Sequence, residues 1–133
     1  ANRDTQLLAQ RQERLARFAA SLKASYEERF SFAEELARLF ERDKESVLET
    51  LEMWRGWWRD ILLLKARCLQ AVVNKDQEVE LEVYSRAFTW AVIKGAIDRL
   101  NQTVEALCQN ANPRLALETL MLELPQMERV AVK

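Results

Sequence analysis

The segment Trp54-Arg55-Gly56-Trp57-Trp58-Arg59-Asp60-Ile61-Leu62-Leu63-Leu64 constrains the fold more than any other. It holds three of the four tryptophans and closes on four branched aliphatic residues. A surface helix shows one apolar stripe. Here Trp57, Trp58, Ile61, Leu62, Leu63 and Leu64 point almost all the way round a helical wheel. Such a helix must be enclosed by its own domain, by a partner, or by both. Leu51, Trp54 and Trp58 share one side and are expected in the core. Trp57 lies about a quarter-turn away and is, with Arg59, a candidate for a subunit interface. Asp60 has Gly56, Trp57, Leu63 and Leu64 at its near-turn positions, so its own helix offers it no cation. A buried carboxylate needs a partner from elsewhere. We expect that partner to be Arg114.

The composition excludes several chemistries. Histidine is absent, which removes the commonest general base and metal ligand. Ser-His and Cys-His pairs and HExxH zinc sites are therefore excluded. Two glycines and two prolines leave no glycine-rich phosphate loop and argue against β-hairpins. Cys68 and Cys108 sit in apolar helical contexts and read as small buried hydrophobes. The formal net charge is −1, so composition supplies no broad basic surface for nucleic acid. No apolar run approaches the ~18 residues of a membrane span, and we expect no signal peptide. We assign no catalytic residue, cofactor or metal, and expect a cytoplasmic location. Ala1 is not an initiator Met, and the pattern opens in mid-helix. We read the chain as part of a longer protein.

Periodicity divides the chain into five or six helices with no strand needed. The first runs from Asp4 to Lys23, with Leu8, Leu15, Phe18, Ala19 and Leu22 on one face. Arg11, Arg14 and Arg17 cover another side. Such a face can touch phosphates, but we favour a solvated or inter-subunit role. Ser25 with Glu28, and Ser31 with Glu34, each fit a capping box. A second helix should end near Glu41. Asp43 suits the N-cap of a long third helix, Lys44 to Val72, with Ser46 as the competing choice. Glu52 and Arg55 can pair across a turn of it. Gly56 and Gly95 suggest close approach of neighbouring helices. Asn74–Gln77 reads as a loop. A short helix follows from Glu78, and Thr89 can cap another from Trp90 to Gln109. Asn112 as N-cap and Pro113 at the first position open the last helix, which Pro125 ends. We take 1–125 as one helical domain and 126–133 as a mobile tail.

Three segments, in this order and spacing, resemble a known family. They are Arg29-Phe30-Ser31-Phe32-Ala33-Glu34-Glu35-Leu36, then Trp54 to Leu63, then Asn110-Ala111-Asn112-Pro113-Arg114-Leu115-Ala116-Leu117-Glu118-Thr119-Leu120. The chain is similar to the C-terminal domain of the δ′ subunit of bacterial DNA polymerase III, over about Leu7 to Pro125. The γ/τ subunits are the near alternative. The resemblance implies a collar: helical domains of five subunits pack side by side and hold a ring of ATPase modules that loads the sliding clamp. An N-terminal ATPase module would be absent from these 133 residues. The partners implied are the γ/τ and δ subunits, with the sliding clamp and DNA reached only through the full complex, and no membrane. Arg67 departs from the pattern, because the family often has a small residue or Gly after the long helix. A second function class is a ligand-binding or dimerisation helical domain of a bacterial regulator, with tryptophans lining a pocket.

Overall fold

A computed structural model describes residues 2–127. Six α-helices lie among them: α1 (Asn2–Ser21), α2 (Tyr26–Arg42), α3 (Lys44–Lys65), α4 (Glu78–Ala87), α5 (Trp90–Cys108) and α6 (Pro113–Glu123). Two short 3-10 turns, Leu69–Ala71 and Lys75–Gln77, bridge α3 to α4. The described residues contain no strand. The all-α bundle expected from periodicity is therefore the fold.

The helices start where side chains can satisfy their orphan N–H groups. Ser25, Asp43, Thr89 and Asn112 accept from the backbone N–H of Glu28, Ser46, Val92 and Leu115 respectively. Ser25 therefore wins over Ser31, which lies inside α2. Pro113 occupies the first turn of α6, where its missing N–H costs nothing.

Helix α3 is the axis. Trp54, Trp57 and Trp58 are each 0–1% exposed. Trp54 stacks on Phe18 of α1, with ring centroids 3.8 Å apart. Trp57 meets Tyr84 of α4 edge-on at 5.0 Å, and Trp58 lies 5.5 Å from Phe88. The enclosure demanded by this segment is thus supplied by its own chain. α2 and α6 pack against each other, and α5 lies against both α3 and α6.

Several boundaries differ from those expected. α1 stops at Ser21, two residues before Lys23. α3 ends at Lys65, not Val72. Arg67 takes a left-handed φ of 64°, and the Arg67 and Cys68 N–H groups donate back to the carbonyls of Leu64 and Leu63. That is a Schellman ending, which usually employs Gly. Arg67 bears the backbone cost that a glycine would avoid. Cys68 and Cys108 are exposed, not buried. Neither glycine meets a neighbour, since a Cβ built on Gly56 or Gly95 touches nothing within 4 Å. Of the residues assigned to a mobile tail, 128–133 lie outside the described residues. Gln126 and Met127 do not fit that assignment. The Gln126 side chain donates to the Ala24 carbonyl at 3.2 Å. The Met127 N–H donates to the Leu22 carbonyl at 2.8 Å.

Candidate subunit interface

Two buried charges tie the bundle together, and the second of them, Asp60, lines the candidate interface. Arg29 enters the first turn of α2 and is 1% exposed. Its five N–H donors meet five backbone carbonyls. Nε donates to Ser21 at 2.9 Å, Nη1 to Met121 at 2.8 Å and Leu124 at 2.9 Å, and Nη2 to Leu22 at 3.5 Å and Pro125 at 2.8 Å. These carbonyls close α1 and α6, where the helix dipoles favour a cation. Burial pulls the Arg29 pKa down, and the Tyr26 phenol pushes it the other way. One side chain thereby ties the ends of three helices. Sequence reasoning missed it: its acceptors are backbone atoms, up to 96 residues away, and leave no mark on composition.

Asp60 is the counterpart, also 1% exposed. Its partner is not Arg114. Arg114 pairs with Glu118 within α6 at 2.8 Å. Asp60 instead accepts the Val73 N–H at 3.0 Å, the Asn74 N–H at 2.8 Å and the Asn74 side-chain amide at 2.6 Å. The carboxylate caps the loop that follows α3 and fixes its path.

That loop forms one wall of a groove. Its other walls are α1 and α3, its volume is about 350 Å³, and it is lined by Leu8, Leu15, Met53, Gly56, Arg59 and Val73, among others. Leu8 is 57% exposed and Val73 81%. Leu8 continues the stripe Leu15, Phe18, Leu22, which share one face of α1, beyond the last position that the described residues cover. Gly56 leaves the α3 backbone bare between these apolar walls. Asp76 and Gln77 line the same groove, and Arg59 is exposed. An apolar floor with a polar margin is the anatomy of a protein–protein contact.

The other interface candidates fare differently. Trp57 has no surface to offer a partner and is corrected to core, beside Trp54 and Trp58. Arg14 donates to Ser46 Oγ at 2.9 Å. Arg17 forms a bidentate pair with Glu35 at 2.6 and 3.0 Å, which holds the Glu35 carboxyl below its ordinary pKa. These two arginines are thus engaged within the chain. The Arg11 side chain lies outside the described residues. Arg55 pairs with Glu52, as the turn spacing implied, and reaches Asn101 at 3.0 Å.

Among the described residues, no cluster of acidic or cysteine side chains could hold a metal, and no helix is long and apolar enough to cross a membrane. Trp54, Trp57 and Trp58 are taken up in packing, with no indole among them free to line a ligand pocket.

No curated protein and no solved structure matches the chain significantly. A family does: residues 5–126 match the one described as DNA polymerase III, delta subunit, C terminal. That span takes in all three segments singled out in the sequence and nearly every described residue, and on it the chain belongs to the family formed by the C-terminal domains of DNA polymerase III delta subunits.

Proposed function

We propose that this chain is the collar domain of a clamp-loader subunit of the δ′ kind, joining other subunits through helix faces with no chemistry of its own. Its partners are the C-terminal domains of the γ/τ and δ subunits. The sliding clamp and DNA are reached only through the assembled complex. Membership of the delta C-terminal family supports the clamp-loader setting. The three-segment resemblance supports the δ′ assignment over γ/τ.

The observation that carries the interface assignment is the groove between α1 and α3. A glycine inside a helix costs up to ~1 kcal/mol relative to alanine. Among the described residues, none comes within 4 Å of a Cβ built on Gly56. A helix edge from a neighbouring domain, seated over Gly56 between Leu8 and Val73, accounts for both the glycine and the exposed aliphatics. Arg59 at the margin then meets an acidic side chain of the partner. A regulator with a ligand pocket leaves these features without a role.

The test is assembly of the intact subunit with γ/τ and δ, followed by size-exclusion chromatography with light scattering. Gly56→Leu places a side chain in the groove, and its Cβ meets nothing within 4 Å. We expect native melting and at least tenfold weaker assembly, with Arg59→Glu weakening it further. A filled groove that leaves assembly unchanged would falsify the interface assignment. An unsubstituted subunit that ignores γ/τ and δ would sink the clamp-loader assignment itself.

A further inference from the structure

Helix α4 is apolar on two sides. It packs chiefly on α3, and its buried side carries Leu81, Tyr84 and Ser85. At 3.6 residues per turn, Val79 and Val83 share the opposite side. Val79 is 85% exposed and Val83 54%, and neither lines the α1–α3 groove. A solvated helix face gains nothing from these residues. Branching at Cβ restricts valine in a helix and lowers its propensity. We propose that Val79 and Val83 dock a basic amphipathic helix of a partner protein. This contact is separate from the α1–α3 groove and does not rest on the clamp-loader reading.

Shape selects a helix. Two side chains at i and i+4 form a ridge of the kind that packs into the groove of another helix. An extended peptide gains its affinity from the backbone of a sheet edge, and α4 has none to offer.

Charge selects a basic one. From Glu78 to Ala87 the helix carries three carboxylates and one guanidinium. Arg86, its one cation, is engaged by Glu82 at 2.9 Å. Around the helix axis, Glu78 and Glu82 flank the valines on one side and Glu80 on the other. Glu80 also lines a groove against α1 together with Lys23. Carboxylates in a first turn suit the helix dipole, which accounts for Glu78 and Glu80 taken singly. It does not account for Glu78 and Glu82 one turn apart, where like charges repel. A lysine or arginine brought alongside the ridge relieves that repulsion while the valines are covered. The same carboxylates repel phosphate, so neither nucleic acid nor an anionic lipid surface suits this face.

The probe is a synthetic helical peptide of about 18 residues, with leucines along one stripe and lysines on either side of it. Titrated into the full chain, it should saturate and shift the NMR amide signals of Glu78–Ala87, with those of α6 unmoved. Exchanging its lysines for glutamates should weaken binding at least tenfold. Val79→Ser with Val83→Ser should do the same, since serine matches valine in helix propensity and both sites are exposed. Equal affinity for the two peptides, no saturation, or shifts centred on Leu8 and Val73 overturn the proposal. Val79→Ala adds a check that needs no peptide. With nothing packed on the valine, alanine should raise the melting temperature by about 1–2 °C. A lower melting temperature would show that the chain itself covers Val79, and overturns the proposal as well.

Discussion

The two ends of α1 obey different rules. At its C-terminal end Leu22 and Phe18 are fully buried, and the Ser21 and Leu22 carbonyls are held by Arg29. At its N-terminal end the same apolar stripe carries on through Leu8, which is 57% exposed. No residue described before Leu15 is buried. One helix thus belongs to a closed knot at one end and borders an open groove at the other. An apolar stripe records that something must cover it; the identity of the cover comes from tertiary structure.

The comparison breaks most sharply at Arg29. Arg29→Met leaves five buried carbonyls without donors, and each orphaned group costs ~1–3 kcal/mol before relaxation. We expect a loss of about 3–5 kcal/mol, the cost typical of removing a buried charge from its partners. Thermal melting should fall by roughly 10 °C or more. Arg29→Lys keeps the charge but has three donors in place of five, and should recover only part of the loss. Full recovery by lysine would mean that charge, and not the fork of donors, holds the knot.

The next contrast lies within the stripe itself. Leu22→Ala should cost ~2–5 kcal/mol, as for a fully buried leucine. Leu8→Ala should stay within ~0.5 kcal/mol in the isolated domain, as for a surface site. Denaturant titration of the pair measures the difference directly. Similar losses would show that the groove is already filled in solution. Asp60→Asn comes third. The amide would place an NH2 group against donors from Val73 or Asn74, at ~1–3 kcal/mol. It should also release the Val73 loop, seen as faster amide exchange at Val73 and Asn74. A variant that melts like the parent would count against a carboxylate that fixes this wall.

Local signals in the sequence are legible because they are chemical. Ser25, Asp43, Thr89 and Asn112 cap because their oxygens reach N–H groups three residues on. Pro125 follows the end of α6 at Glu123 for an equally local reason. The crowded face of α3 correctly demands enclosure. Partners across the chain are not legible. Arg29 and Asp60 are both answered by backbone atoms, which look the same at every residue. An Asp60–Arg114 pair is reasonable chemistry, but Arg114 finds Glu118 one turn away. The end of α3 is obscured because a left-handed cap usually announces itself as Gly, and Arg67 does not. Trp57 is misplaced by a helical wheel because a wheel shows where a side chain points, and α4 supplies Tyr84 at that position.

The smallest expected effect discriminates best between packing and docking. Gly56 and Gly95 both lie inside helices, neither has a positive φ, and neither has a neighbour within 4 Å of a built Cβ. In the isolated domain each should therefore gain ~0.5–1 kcal/mol on substitution by alanine, through backbone entropy alone. Only Gly56 lines the α1–α3 groove. Gly56→Ala should then raise the melting temperature while weakening assembly with γ/τ and δ, and Gly95→Ala should raise it with assembly intact. Opposite signs at one position and not at the other would locate the contact on α3. Equal behaviour at both would mean that the glycine in the groove answers to no partner, and that the exposed Leu8 and Val73 mark the rim of an unused surface.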